Sequence, residues 1–106
     1  VLKRHIVDIN EMGDAERDEL FNSVLPELKE AIDTMFGPDL YNYASLGNSE
    51  RHLHFHVIPR YSDTRSFAGQ VFNDEAWNSH YKNGEGRYVS REVLDEVMES
   101  LVEELN

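Results

Sequence analysis

The chain has 106 residues, is 40% apolar and contains no cysteine, and its 21 acidic against 10 basic residues give a formal net charge of −11. This length predicts one domain with a single core, and the lack of cysteine excludes disulfides, thiolate metal sites and a cysteine nucleophile. The acidic balance argues against nucleic acid polymers and membranes as partners, and because no apolar run could span a bilayer we expect a soluble, cytoplasmic protein.

The first third of the chain predicts a strand followed by a long helix. The segment VLKRHIVDI, residues 1–9, is short, apolar and rich in β-branched residues, which favours a strand. Asp14 is a suitable N-cap for a helix whose apolar residues recur at spacings of three and four, and Gly37-Pro38 ends it. Pro26 interrupts this pattern and predicts a kink or a break in the helix.

The rest of the chain predicts two strands, an ordered loop and a second helix. The runs LYNYASLG, 40–47, and HLHFHVIPR, 52–60, favour an antiparallel hairpin or neighbouring strands, and residues 62–87 form a polar segment with scattered aromatic anchors. Ser90 is a suitable N-cap for an amphipathic helix with the core residues Val93, Leu94, Val97, Met98, Leu101 and Val102. We therefore predict an α+β fold, an antiparallel sheet with a long helix packed on it and a C-terminal amphipathic helix.

The histidines of HLHFH alternate with apolar residues. On a strand, His52, His54 and His56 share one face at roughly 6.6 Å per step, while the residues between them point into the core. Packing seldom explains three such histidines, so we interpret them as functional. They could ligate a metal, or one imidazole could be a nucleophile toward phosphorus while its neighbours stabilise developing charge. The alternation alone does not decide between these chemistries.

The flanking residues resemble the histidine triad (HIT) family. HLHFHVIPR is similar to the family signature, in which histidines alternate with apolar residues and Pro-Arg often follows. LKRH, ending at His5, resembles the family's PKxH with Leu2 in place of proline, and Asn42 and Gly47 resemble the Asn and Gly that precede the triad. The likeness extends from the first residues to about Asp63.

The loop before the triad and the segment upstream of it depart from the family pattern. The GQ(S/T)V loop of the family appears here as GNSER, with Asn48 in the Gln position and Ser49 in the Ser/Thr position. The third triad residue, His56, is not the glutamine of the hexose-phosphate uridylyltransferase branch, which favours hydrolysis. The family's upstream strands and helix have no counterpart, so we expect 1–106 to be a single HIT-like domain that lacks them.

The resemblance implies a role for each histidine. His54 would attack the α-phosphorus of a nucleotide and form a nucleotidyl-histidine intermediate, His52 would orient it through the backbone, and His56 would contact the phosphate. The further substrate-binding residues implied are Asn42, Asn48, Ser49 and His5. The family needs no cofactor or metal for this chemistry, and its members are typically homodimers.

The sequence thus leads to one main hypothesis and two rivals. The first is a HIT-type nucleotide hydrolase or nucleotidyl transferase acting on a dinucleoside polyphosphate, such as diadenosine tetraphosphate, or on a nucleoside phosphoramidate. One rival is a metal-binding domain that uses His52, His54 and His56 as ligands, and the other is a HIT-like protein that binds nucleotide with little turnover. We expect Arg60 to brace the triad strand by a salt bridge rather than to touch the substrate.

Overall fold

A computed structural model describes residues 1–80 and 89–106. The described chain is an α+β arrangement with four short antiparallel strands and a C-terminal helix. In chain order the elements are a 3-10 turn Ile9–Glu11, α1 Asp14–Glu19, a π-helical turn Leu20–Val24, α2 Leu25–Phe36, β1 Leu40–Ala44, β2 His56–Arg60, β3 Arg65–Phe67, β4 Gln70–Phe72 and α3 Arg91–Leu105. Among these helices, none is long and apolar enough to cross a membrane.

The strand predicted over residues 1–9 is wrong. The backbone bends at Lys3-Arg4, and this bend brings two points of the segment to one residue of the histidine stretch. The N–H of Leu2 donates to the Leu53 carbonyl at 3.1 Å, and the N–H of Leu53 donates to the Ile6 carbonyl at 2.8 Å. Because Leu2 and Ile6 bracket Leu53, the segment wraps around it and cannot form a regular ladder.

The first helix is divided at the place where proline predicts a break. Gly13, rather than Asp14, is the N-cap, and its N–H donates to Glu16 Oε1 at 2.8 Å. Pro26 lacks an N–H, and in an α-helix its ring would crowd the carbonyl four residues earlier. The π-helical turn directly before α2 changes the hydrogen-bond register there, with the Leu25 N–H bonded to the Leu20 carbonyl. Helix α2 then packs chiefly against α3.

Strands β1 and β2 form the antiparallel pair that the sequence predicts, but both are shorter than predicted. Their register pairs Ala44 with His56, Asn42 with Ile58 and Leu40 with Arg60. Since side chains alternate along a strand, these six residues lie on one face of the sheet. Residues 45–55 connect the two strands without regular structure.

The segment 62–80 contains a hairpin that the sequence analysis missed. Strands β3 and β4 pair antiparallel across a turn in which Ala68 and Gly69 both have positive φ, 51° and 75°. Phe67 contacts Phe36 of α2 edge to face, with 5.0 Å between ring centroids, as expected of an aromatic anchor. The predicted segment extends to Arg87, and its last residues lie outside the described part of the chain.

Helix α3 begins as the sequence predicts, but its apolar face is only partly buried. The Ser90 side chain accepts a hydrogen bond from the Val93 N–H, and Val93 is buried. Met98, predicted to be core, is 64% exposed, and Leu94 and Val102 are exposed as well. The predicted stripe is therefore wrong at these three positions, because α2 covers a narrower strip than the apolar spacing suggests.

The core next to the histidines is small. Ile6, Met12 and Leu53 are buried together, and Leu2, Leu20 and Phe55 pack around them. Leu53 therefore fixes the backbone between the first two histidines from the core side.

Candidate active site

Of the three histidines at 52, 54 and 56, only the last belongs to a strand. β2 begins at His56, so the prediction of one strand over 52–60 is wrong for His52 and His54. The reason is that β1 ends at Ala44, opposite His56, and leaves residues 52–55 without a partner strand. The alternation of faces nevertheless holds at Leu53, which is 4% exposed, whereas His52 and His54 are half-buried and His56 is exposed.

Backbone carbonyls orient the first two histidine rings. His54 Nδ1 lies 2.8 Å from the carbonyl oxygen of His52, and His52 Nε2 lies 2.6 Å from the carbonyl oxygen of Leu2. A carbonyl oxygen only accepts, so each of these ring nitrogens carries the proton and donates it. In the neutral imidazole of His54, the lone pair is then on Nε2. A nitrogen with an available lone pair and a fixed ring direction is what a nucleophile requires.

Four histidine rings lie in two contacting pairs. The rings of His54 and His56 are 5.1 Å apart between centroids, and those of His5 and His52 are 4.8 Å apart, both edge to face. The N-terminal segment is not the predicted strand, but it wraps around Leu53 and so brings His5 into contact with His52. His5 and His56 are exposed, so the group is open to solvent at both ends.

The other predicted site residues occupy two different places. Asn42 is half-buried on β1, on the sheet face that carries His56. Asn48 and Ser49 are exposed in the connection between β1 and β2. Among residues 1–80 and 89–106, neither side chain is hydrogen-bonded to a histidine. Asn42 therefore shares a sheet face with His56, whereas Asn48 and Ser49 lie exposed in the connection.

Comparison with protein families decides the relationship. The family model described as HIT domain matches residues 1–63, which is more than half of the chain. The chain belongs to the HIT domain family. No curated protein matches it. HIT membership indicates a nucleotide-binding hydrolase or transferase in general, and the matched residues include all four contacting histidines and Asn42.

A buried ion pair fixes the end of β2 in this HIT domain. Arg60 is 3% exposed, and its Nε and Nη2 donate to the two carboxylate oxygens of Asp74 at 2.6 and 3.1 Å. Nη1 donates to Asn42 Oδ1 at 2.5 Å, and Nη2 also donates to the Ala76 carbonyl at 2.5 Å. The bond from Arg60 holds the pKa of Asp74 below its ordinary value, and that bond raises the pKa of Arg60. The expectation that Arg60 braces the strand is confirmed.

Asp74 is the residue of this region that the sequence analysis missed. It lies 14 residues after Arg60, beyond β4 and outside the HIT match. The Tyr61 N–H donates to its carboxylate as well, at 3.2 Å. No local pattern separates Asp74 from the other acidic residues of an acidic chain, since only the tertiary fold brings it to Arg60.

The histidines are not arranged as a metal centre. In the described parts of the chain, no group of three or more His, Asp or Glu side chains could hold a metal ion. A three-histidine site needs three nitrogens converging at about 2.0–2.1 Å from one point. The histidine rings instead lie in two edge-to-face pairs, His5 with His52 and His54 with His56. The HIT relationship and this geometry together give the metal-binding rival no support.

Proposed function

We propose that the chain is a HIT-type nucleotide hydrolase or nucleotidyl transferase in which His54 is the nucleophile. Its substrate would be a dinucleoside polyphosphate, such as diadenosine tetraphosphate, or a nucleoside phosphoramidate. The observation that carries this proposal is the 2.8 Å bond from His54 Nδ1 to the His52 carbonyl. That bond leaves Nε2 as the ring's acceptor and sets the direction in which it can attack.

The proposed reaction has two steps. Nε2 of His54 attacks the α-phosphorus, a nitrogen–phosphorus bond forms, and the bond from phosphorus to the leaving oxygen or nitrogen breaks. The leaving group departs with that electron pair and takes up a proton. Water then attacks the nucleotidyl-histidine and releases a nucleoside monophosphate, which regenerates the imidazole. Splitting the displacement in this way replaces one difficult step by two easier ones.

The neighbouring groups would stabilise the charge on the transferred phosphate. His56, whose ring centroid lies 5.1 Å from that of His54, would donate to a phosphate oxygen. Asn42, Asn48 and Ser49 offer neutral donors, and His5 supports His52. By family resemblance we also propose a homodimer and a mechanism that needs no cofactor.

The test is release of AMP from diadenosine tetraphosphate and from adenosine 5′-phosphoramidate by wild type and His54→Asn. The asparagine amide can still donate to the His52 carbonyl but has no counterpart of Nε2, so it removes the nucleophile and keeps the backbone contact. We expect turnover by wild type and a loss of at least about a thousandfold in the variant. Asp95→Asn, an exposed change on α3, is the control and should keep wild-type turnover.

Two results would contradict the proposal. Equal turnover by wild type and His54→Asn would exclude His54 as the nucleophile. Tight binding of AMP by wild type without turnover of either substrate would instead favour the HIT-like protein that binds nucleotide without hydrolysing it.

A further inference from the structure

The contacts of Nε and Nη2 hold the Arg60 guanidinium so firmly that its third nitrogen, Nη1, has a defined direction. Asp74 engages Nε and Nη2 together, at 2.6 and 3.1 Å, and the Ala76 carbonyl takes a second bond from Nη2. A guanidinium is planar, so fixing this edge against a carboxylate also fixes where Nη1 points. Burial of Arg60 to 3% exposure leaves it little freedom to reorient.

Nη1 in turn sets the orientation of the Asn42 amide. It lies 2.5 Å from Asn42 Oδ1. A guanidinium N–H can only donate, so the partner must be the amide oxygen and the NH₂ group must point away from Arg60. Among the described residues, no acceptor is bonded to that NH₂ group. Arg60 thus presents Asn42 as a hydrogen-bond donor rather than as an acceptor.

The presented donor lies next to His56. Asn42 shares the sheet face with His56 and is its diagonal cross-strand neighbour, because Ala44 is the residue directly opposite His56. Such diagonal neighbours are about 7–8 Å apart, which a phosphate group held between their side chains can bridge. Ala44 carries only a methyl group, so it leaves room for a ligand over this part of the sheet.

We propose that Asp74 and Arg60 are positioning residues which hold the Asn42 NH₂ group as a donor to the substrate's phosphate oxygens. Asp74 acts through Arg60 and touches no substrate itself. The segment after the HIT match would thereby contribute to phosphate recognition. This inference rests on the proposed function of the histidine site.

A double-mutant cycle separates positioning from plain structural support. Asn42→Asp keeps an oxygen for Arg60 but replaces the NH₂ donor by a second oxygen, and we expect kcat/KM to fall about ten- to hundredfold. Asp74→Asn should lower kcat/KM in the wild-type background. All variants are assayed at a temperature at which urea unfolding curves show that they are folded. In the Asn42→Asp background, Asp74→Asn should cause no further fall. An equal fall in both backgrounds would overturn the proposal.

A second measurement does not depend on turnover. In ¹⁵N-labelled wild type, the side-chain NH₂ signal of Asn42 is identified by its loss in Asn42→Asp, and AMP is then added. We expect this signal and the ring signals of His54 and His56 to shift together. In Asp74→Asn, the Asn42 signal should already differ without AMP and should respond less to it.

The outcomes distinguish this proposal from the proposed function. If AMP shifts the histidine ring signals but leaves the Asn42 NH₂ signal unchanged, the positioning role is overturned and the nucleotide site stands. If AMP shifts neither and wild type turns over neither substrate, both are overturned.

Discussion

Replacing Asp74 with alanine should strongly destabilise the fold. The change removes two hydrogen bonds and the counter-charge from a guanidinium that is only 3% exposed. Solvent cannot reach Arg60 well enough to replace the carboxylate. Removing one partner of a buried ion pair typically costs about 3–5 kcal/mol, because the remaining charge is left buried and unpaired.

The side-chain exposures place this pair near the buried limit. Asp74 is 15% exposed beside the nearly inaccessible Arg60, so solvent screening reduces the penalty only in part. For a domain of this length, whose total stability is expected to be about 5–15 kcal/mol, such a loss is a large fraction of the whole. The assay is urea unfolding of wild type and Asp74→Ala, followed by far-UV circular dichroism.

Asp95→Ala is the matched control. Asp95 also pairs with an arginine, Arg91, at 3.1 Å, but the Arg91 side chain is 85% exposed. Exposed pairs contribute little, so its unfolding midpoint should stay close to that of wild type. If Asp74→Ala unfolds within about 1 kcal/mol of wild type, the reasoning from burial is refuted.

Three further predictions concern acid stability, backbone conformation and the core. Arg60 lowers the pKa of Asp74, so the ionised carboxylate stabilises the fold at pH values above its ordinary pKa of 3.8. This contribution is lost as the pH falls through the lowered pKa. Acid titration should therefore show a steeper loss of stability below about pH 4 in wild type than in Asp74→Asn. Gly37→Ala should lower the free energy of unfolding in urea by about 1 kcal/mol, because Gly37 has a φ of +51° and the added carbon meets no atom closer than 3.8 Å. Ala68 has the same φ, so Ala68→Gly should not destabilise the fold. An equal loss of stability in both variants would contradict the strain argument. Leu53→Ala should lower the free energy of unfolding by about 2–5 kcal/mol and loosen the histidine stretch, because Leu53 is buried. Met98 is exposed, so Met98→Ala should leave the thermal midpoint nearly unchanged. Similar midpoints for the two variants would contradict this difference in burial.

The elements that could be predicted are those with local signals. Ser90 caps α3 through its own side chain, and Pro26 marks the break in the first helix, because both effects act within one or two helical turns. The antiparallel pairing of β1 and β2 follows from two apolar runs with a polar connection between them.

The features that failed depend on which partner covers a segment. Residues 1–9 have strand-like composition, but the bend at Lys3-Arg4 lets Leu2 and Ile6 both bond to Leu53. Leu94 and Met98 belong to a helical stripe, yet α2 does not cover them. Periodicity reports a side chain's direction on its own element and carries no information about what lies opposite.

In the candidate site, too, some residues could be predicted from the sequence, whereas others depend on tertiary contacts. Family resemblance identifies His5 and the triad, and the wrapped N-terminal segment brings them into ring contact although it is not a strand. The pair of Arg60 and Asp74 could be anticipated only from the side of Arg60, since the hydrogen bonds join residues 14 apart across the β3–β4 hairpin. Tertiary structure alone connects that pair to Asn42.

The central claim is that His54 is a covalent nucleophile, and intact-protein mass spectrometry after brief mixing with diadenosine tetraphosphate tests it most directly. We predict an acid-labile adduct of one adenylyl group on wild type and none on His54→Asn. An adduct on both proteins, or AMP release by wild type with no adduct at any mixing time, would contradict the account.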